Sequence, residues 1–216
     1  MWRLSLLGVL VLSSVVRADD EEAYLGFEAG PALARSGQSY GEGGTAGNAA
    51  GASGTLVLAY GLTDTWTLDL TVGSQAVFNS RHDDVMLNGI PRNIFTDVVT
   101  ARTTAGISAR LGARVIPTLG LRAGYQHRIL RNAVQFDDTN FFQGDLDPVH
   151  ENELIALASL GLEIRLNRHW HLGIAAQAVA ALGGSTRYLA FEAPVRLSYA
   201  WYPRLFRSMR TVRFGE

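Results

Sequence analysis

Two residue types are missing from this chain of 216 residues: it has no cysteine, and all 19 of its basic residues are arginine. The lack of cysteine excludes disulfides, thiol catalysis, cysteine metal sites and a lipidated cysteine anchor. A GC-rich genome explains the lack of lysine more simply than function does. The formal net charge of −1 leaves no basic excess, so nucleic acid is not expected as a partner.

Long apolar runs are also absent. The longest, over 4–16, is shorter than the roughly 20 residues that a membrane-spanning helix needs, which disfavours a permanent anchor. It follows a short basic start and precedes small residues, which is the layout of a secretory signal peptide. We therefore predict a signal peptide over 1–18 cleaved after Ala18, one mature domain over 19–203, and a basic periplasmic tail over 204–216.

The chain does contain repeated alternation of apolar and polar residues, with the period of two that marks β-strands. In the clearest segment, Trp66, Leu68 and Leu70 share one face, and Thr67 and Asp69 share the other. Segments of this kind predict eight strands, at 24–34, 55–61, 66–77, 99–111, 118–130, 153–166, 170–182 and 189–201. Most of these segments have the length that a tilted strand needs to cross a bilayer.

The connections between these segments alternate between short and long. The long ones, at 36–53, 78–97 and 131–152, are rich in glycine and polar residues and are expected to be mobile loops. The turns on the other side are only a few residues long. This asymmetry predicts an all-β, eight-stranded antiparallel up-and-down transmembrane β-barrel with short periplasmic turns and long extracellular loops.

Alternation alone does not say which face points outward, since a soluble lipocalin-like barrel would bury the apolar face. Small residues on the polar face and a charged fraction of only 18% favour lipid on the outside. Aromatic residues on the apolar face also lie near the turn ends, as in an interfacial girdle. The predicted girdle consists of Phe27, Tyr60, Trp66, Trp170, Tyr199 and Trp201. We therefore predict the outer membrane of a Gram-negative bacterium.

In architecture the chain resembles the small eight-stranded outer-membrane barrels, the group of the OmpA transmembrane domain, OmpX and the opacity proteins. Its most specific element is Val195–Trp201, which is similar to the terminal strand signal read by the barrel-assembly machinery. The chain departs from that group by continuing beyond Pro203, so Phe214 competes with the favoured Trp201 as the residue that is read. The resemblance implies outer-membrane lipids and lipopolysaccharide as partners.

Ten charged residues fall on the polar face and are expected to line the lumen. They are Glu28, Asp69, Arg102, Arg110, Arg122, Arg128, Glu163, Arg165, Glu192 and Arg196. Because an isolated buried charge is costly, they must be paired or hydrated. A salt-bridged plug is the favoured interpretation, since eight strands leave an interior that side chains fill; an arginine-biased pore is the alternative.

Catalysis is not predicted, and no cofactor is implied. His171, Ser198 and Glu163 could be drawn as a nucleophilic set, but they lie at the periplasmic end, away from the outer leaflet. A metal site at His169 and His171 lacks carboxylate support. Acidic residues of the third loop could bind divalent cations: Asp137, Asp138, Asp145, Asp147, Glu151 and Glu153. A solvated acidic loop is the simpler interpretation.

Pro31 and Pro194 lie within the first and last strands, which become neighbours when the barrel closes. Two backbone donors are therefore missing from one level of that junction, so we consider a lateral seam there. The sequence thus favours a non-enzymatic barrel with a plugged lumen that supports envelope integrity and surface interactions. A narrow transport barrel with lateral access is the alternative, and a lipid A-modifying enzyme is the third.

Overall fold

The computed structural model describes residues 22–37, 40–112, 114–183 and 187–202. The predicted signal peptide, Pro203 and the predicted tail lie outside those residues. The strands are β1 (Ala23–Ser36), β2 (Glu42–Gly43), β3 (Gly47–Gly61), β4 (Trp66–Leu87), β5 (Ile90–Arg110), β6 (Val115–Phe136), β7 (Phe142–Leu146), β8 (Val149–Arg165), β9 (Trp170–Ala181), β10 (Tyr188–Glu192) and β11 (Val195–Trp201). Within the described ranges, no helix has the length and hydropathy that a membrane-spanning helix requires.

The described strands close into an antiparallel ring. Strand β1 pairs with β3 on one side and with β10 and β11 on the other, and the ring runs β1-β3-β4-β5-β6-β8-β9 before closing through β10 and β11. The last two are halves of one stave, interrupted at Ala193 and Pro194, while β2 and β7 are short additions beside β4 and β6. The predicted eight-stranded up-and-down barrel is therefore confirmed.

Alternation along each strand separates a polar interior from an apolar exterior. On β4, Thr67 and Asp69 are buried inside the barrel, whereas the outward Leu68 and Leu70 are 50% and 46% exposed. Successive strand residues point to opposite faces, so one pattern determines both surfaces. The apolar face is the outer one, which a soluble lipocalin-like barrel would not show.

The connection predicted over 78–97 is mostly strand, so that loop prediction is wrong. Strand β4 continues to Leu87 and β5 begins at Ile90, joined by Asn88 and Gly89 with φ angles of 51° and 77°. Positive φ at both central residues defines a type I′ hairpin turn, which Asn-Gly favours. The extended hairpin has its own apolar contacts, centred on the buried Val85, Ile94 and Ala133.

The first and third long connections also contain more strand than predicted. Strand β1 runs to Ser36 and β3 begins at Gly47, and these two residues are partners in the ladder. In the third connection, β6 extends to Phe136, β7 pairs with it, and β8 begins at Val149. Small residues suggested flexibility, but they permit close strand approach: a Cβ at Gly51 would lie 1.8 Å from the Ala76 carbonyl oxygen. In these two connections the irregular backbone is therefore shorter than predicted.

Side-chain caps close two of the short turns at the opposite end. Thr63 Oγ1 accepts hydrogen bonds from the backbone N–H groups of Thr65 and Trp66, at 3.2 and 3.0 Å. In the turn before β9, Asn167 Oδ1 accepts from His169 N and Trp170 N, at 2.8 and 2.9 Å. Asn and Thr form such local bonds readily, which explains why these few residues reverse the chain. We call this end of the barrel the turn end and the other the loop end.

Candidate functional site: a lumen of paired charges

The ten charged residues predicted to line the lumen all project inward, and each is in an ion pair. Some pairs join strands that are not neighbours, as Arg102 with Glu192, and others join adjacent strands, as Arg196 with Glu28. Within the described chain, this interior is the largest concentration of functional groups, and we treat it as the candidate site.

One group in the turn-end half of the barrel is a chain of alternating charges. Arg110 Nη2 lies 2.6 Å from Glu163 Oε2, and the other oxygen of Glu163 is 2.8 Å from Arg196 Nη1. Arg196 also donates from Nε to Glu28 Oε1 at 2.6 Å, and Gln177 donates to the second Glu28 oxygen at 2.8 Å. Each carboxylate therefore has two partners, which offsets the cost of removing it from water.

Asp69 forms a second group beside that chain. Arg122 donates to Asp69 Oδ2 from Nη2 and Nε at 3.0 and 3.2 Å, and Ser108 donates to the same oxygen. Thr67 donates to Asp69 Oδ1 at 3.1 Å. Both oxygens of Asp69 therefore accept hydrogen bonds.

Arg102 and Glu192 form the pair at mid-height. Two parallel N–H···O bonds of 2.6 Å join the guanidinium to the carboxylate, and both side chains are 1% exposed. This planar two-bond arrangement is the strongest form of charge-assisted hydrogen bond between side chains. It connects β5 directly to β10 across the interior.

Three carboxylates that sequence reasoning assigned elsewhere belong to this network. Glu22, taken as part of a solvated acidic lead, lies 3.2 Å from Arg165 and accepts a hydrogen bond from Tyr202 at 3.0 Å. Glu151 and Glu153, assigned to the acidic third loop, both pair with Arg128, at 2.8 Å for Glu153. Their assignment to a solvated loop is wrong. They share the inward parity of β8, and that alternation was the available signal.

An apolar layer also lies inside the barrel toward the loop end. Its buried members are Ala32, Ala34, Val77, Val98, Leu130, Ile155, Leu157, Val179, Tyr188 and Ala190. Tyr188 donates its hydroxyl to Gln75 Oε1 at 2.6 Å, which joins this layer to the polar groups below it. Sequence analysis treated the inward face as polar throughout and missed this layer.

Little free space remains among these side chains. A cavity bordered by Asp69, Arg110, Arg122, Glu163 and Ser198 has a volume of about 20 Å³. That is room for about one water molecule. Several buried polar atoms near the pairs, including Nε of Arg110 and Nε2 of His171, have no hydrogen-bond partner among the described residues.

The structure does not arrange His171, Ser198 and Glu163 as a catalytic triad. His171 is fully buried, and its Nδ1 lies 3.1 Å from Arg110 Nη2 and 3.9 Å from Glu163. Arginine only donates, so Nδ1 must accept and cannot also donate to a carboxylate as a triad requires. Ser198 lies opposite His171 in the ladder, but Glu163 is occupied by two arginines.

The predicted girdle residues lie on the outer surface toward the turn end. Phe27, Trp66, Trp170 and Tyr199 are exposed, and Tyr60 and Trp201 are partly exposed. Trp170 and Tyr199 also contact each other edge to face, with centroids 5.2 Å apart.

The two prolines lie at adjacent levels of the closing junction, with Pro31 at the level of Ala193 and Pro194 at the level of Gly30. The register between β1 and the last stave is continuous, from Ala29 opposite Val195 to Ala32 opposite Glu192, although the ladder is interrupted between them. Ala193 N donates to Pro31 O at 3.1 Å. A Cβ on Gly30 would lie 2.5 Å from the Ala193 carbonyl oxygen, so the backbones pack tightly here.

The acidic loop between β6 and β7 uses Asp137 to hold its own backbone. Asp137 Oδ1 accepts from the N–H groups of Thr139 and Phe141, both at 2.9 Å, and Gln143 donates to Oδ2 at 3.1 Å. The hydrogen bond from Phe141 N–H is the largest factor that holds the pKa of Asp137 below its ordinary value. Among the residues described, no group of three or more His, Cys, Asp or Glu side chains is arranged to hold a metal ion.

A closed ring of eight antiparallel staves, with paired charges inside and an apolar belt outside, defines the class of transmembrane-type β-barrels. The fold is that of the small eight-stranded outer-membrane barrels. Neisserial surface protein A is similar, with a TM-score of 0.52, 15% identity, and coverage of 83% of this chain and 97% of that one. The outer membrane protein OprG of Pseudomonas aeruginosa has a TM-score of 0.52 and 13% identity, covering 87% of this chain and 100% of that one. No family model matches the sequence, and a search of curated proteins gave no significant match.

Proposed function

We propose that this protein is a non-enzymatic barrel of the Gram-negative outer membrane, with a lumen closed by ion-paired side chains, and that it supports envelope integrity. The observation that supports a closed lumen is the packing of the interior. Its charges are paired across the barrel and leave a cavity of only about 20 Å³. A hydrated ion or small solute would have to break these buried pairs in order to pass.

Planar-bilayer recording tests the closed lumen. The purified folded barrel should produce no stable single-channel steps, because the paired side chains of the proposed closed lumen would block a continuous water path. A variant with Arg102→Ala and Glu192→Ala, which removes the mid-height pair, serves as the comparison for the assay. Stable, sizeable currents from the unmodified protein would overturn the closed-lumen proposal.

The location in a membrane is supported by the outward belt. Leu56, Leu70, Leu121, Leu160 and Ile174 are all about half exposed or more, and the aromatic girdle lies on the turn-end side of this belt. Exposed apolar surface of this extent is stable only against lipid or another apolar partner. Fractionation should place the protein with outer-membrane lipids and lipopolysaccharide; recovery in the soluble fraction would contradict the proposal.

The strand extension at the loop end is the proposed surface for external contacts. Phe136 packs edge to face against Phe95 and Phe142, with centroid distances of 5.4 and 6.1 Å. Phe141 beside them is 71% exposed. Replacing Phe141 and Phe142 by serine should reduce binding of whole cells to host or bacterial surfaces without changing the yield of folded barrel. Unchanged binding would argue against this surface.

Assembly through Val195–Trp201 is part of the same proposal. Val195, Leu197 and Tyr199 are exposed on the outer face, as a signal read from the lipid side requires. Trp201→Ala should reduce insertion in cells more than Phe214→Ala does. The reverse order would assign the signal to Phe214.

A narrow transport barrel with lateral access is the second candidate. The observation that favours it is the ladder interruption at Pro31 and Pro194, with the stave broken between β10 and β11. Replacing both prolines by alanine restores two donors and should slow hydrogen exchange in β1 and β11 and reduce uptake of an apolar probe. Unchanged exchange would remove this candidate.

A lipid A-modifying activity is the least supported candidate, because Glu163 and His171 are committed to buried contacts with Arg110. Mass spectrometry of lipid A from cells with and without the gene should show the same species. A difference restored by the wild-type gene but not by Ser198→Ala would establish catalysis.

A further inference from the structure

Two histidines face each other on the outer surface near the loop end. His127 on β6 is opposite Asn152 of β8, and His150 of β8 is opposite Ile129 of β6, so the two rings are diagonal neighbours. Their centroids are 5.5 Å apart with an interplanar angle of 28°. His127 lies one outward position beyond the exposed Tyr125 of the apolar belt, and His150 lies two outward positions beyond the exposed Leu154. Neither imidazole takes part in the lumen network.

Hydrogen bonding sets the tautomer of the neutral His127 ring. Its Nδ1 lies 2.8 Å from Asn152 Oδ1, and an amide oxygen can only accept, so Nδ1 carries the proton. The lone pair of His127 is therefore on Nε2. That nitrogen lies 3.3 Å from His150 Nδ1, which donates to it in the absence of any other ligand.

The separation of these two nitrogens matches a metal chelate. Two Zn–N bonds of about 2.05 Å at a tetrahedral angle place their nitrogens about 3.3 Å apart. We propose that a divalent transition-metal ion, with Zn²⁺ as the reference, is chelated by His127 Nε2 and His150 Nδ1, with water in the remaining positions. The proton on His150 Nδ1 moves to Nε2 of the same ring by exchange with water, so both ligands stay neutral.

Asn152 is the positioning residue of this site. An acceptor on the second ring nitrogen of a metal-bound histidine fixes its tautomer and orientation and makes it a better ligand. Here that acceptor is on the strand that also carries His150, two residues away. Both ligands are on paired strands of the barrel wall, so the chelate is largely formed before the metal arrives.

The chemistry of the ligands selects the class of ion. Imidazole suits Zn²⁺, Cu²⁺ and Ni²⁺, whereas Ca²⁺ and Mg²⁺ prefer oxygen. The site is therefore different from a cation site in the acidic loop. Asp137 there already accepts four hydrogen bonds within its own loop.

Calorimetry on the full chain, folded in detergent and carrying no affinity tag, tests the proposal. Titration with zinc chloride at pH 7.5 should show one ion bound per barrel, and calcium chloride should show none at the same position. His127→Gln and His150→Gln should each weaken zinc binding at least about tenfold. Asn152→Ala keeps both ligands and should weaken binding by a smaller factor.

His169→Gln is the matched control, because His169 lies at the turn end with its Nδ1 on the Ala200 carbonyl oxygen at 2.9 Å. Zinc affinity should be unchanged in it. With Cu²⁺ as probe, electron paramagnetic resonance should show two nitrogen ligands in the wild type and one in each single variant. All variants should retain the mobility of a folded barrel on unheated gels. Zinc binding that persists undiminished in His127→Gln/His150→Gln, or no stoichiometric binding by the wild type, would overturn the site.

Discussion

Arg102 and Glu192 meet in the middle of the barrel through two parallel hydrogen bonds of 2.6 Å, although 90 residues separate them along the chain. Both are removed from solvent, so neither charge has water as an alternative partner. This makes the pair a sensitive probe of how the interior is stabilised.

Removing one member of that pair should be more damaging than removing both. Glu192→Leu leaves the Arg102 guanidinium buried without its counter-charge, which typically costs about 3–5 kcal/mol. Arg102→Met combined with Glu192→Leu removes both charges and should recover most of the loss. Urea unfolding of the barrel in micelles measures the free energy of unfolding of both variants. An equal loss of that free energy in the single and double variants would contradict a paired interior.

Acidification should loosen the extension at the loop end through His82. Burial lowers the pKa of His82 below its ordinary value of 6.5 and outweighs the opposing effect of the Thr45 carbonyl; Arg128 lowers it further and Asp83 raises it. His82 Nδ1 lies 3.1 Å from Gly47 N and 3.2 Å from the Thr45 carbonyl oxygen, and it can accept from Gly47 N–H only in the neutral ring that carries its proton on Nε2.

Since the folded pKa is the lower one, this contribution to stability is complete above pH 6.5 and is lost as the pH falls below it. Protection factors for hydrogen exchange, which correct for the slower intrinsic exchange at low pH, should therefore fall in β2 and the loop-end half of β4 between pH 7.5 and 5. His82→Gln should remove that dependence, and protection factors that stay constant with pH in the wild type would show that His82 does not titrate with opening.

The Asn88-Gly89 turn should tolerate substitution poorly. Gly89 has a φ of 77° with no atom near its missing Cβ, so the constraint is conformational rather than steric crowding. Gly89→Val should cost about 1–2 kcal/mol in the hairpin extension, because L-residues are strained in this region. The rate of protease cleavage in the β4–β5 hairpin measures this loss of stability. Gly183→Ala is the control, because Gly183 lacks a positive φ.

Two glycines of β3 allow a comparison between a position where the neighbouring strand is very close and one where it is not. A Cβ at Gly51 would meet the Ala76 carbonyl oxygen at 1.8 Å, whereas one at Gly54 would meet only the Phe27 ring, at 4.0 Å. Gly51→Ala should destabilise the barrel by about 1–3 kcal/mol, and Gly54→Ala should have little effect. Equal unfolding midpoints for the two variants would show that the strands at Gly51 can separate without cost.

The strand order and the identity of the inward face were predictable, because alternation records directly which side chain meets which surface. The length of the strands beyond the belt was not. There the apolar periodicity weakens, and pairing depends on the Asn88-Gly89 turn and on partners such as Ser36 and Gly47, which carry no alternation that would mark them as strand.

The sequence predicted which charged residues line the lumen, but not which of them form ion pairs with each other. Glu28 opposite Arg196 follows from strand adjacency, whereas Arg110 with Glu163 crosses the interior and depends on barrel geometry. The histidine pair was invisible for the same reason: only the register of β6 against β8 brings His127 beside His150.

The last stave carries both Glu192 and Arg196, and these two residues complete contacts that begin on β1, β5 and β8. Until that stave docks, Arg102 has no carboxylate and Glu28 has no guanidinium. An incomplete barrel would therefore hold unmatched charges facing an apolar environment. The charge balance of the interior thus depends on the strand that the ribosome makes last, which ties the closure of the barrel to the completion of its ion pairs.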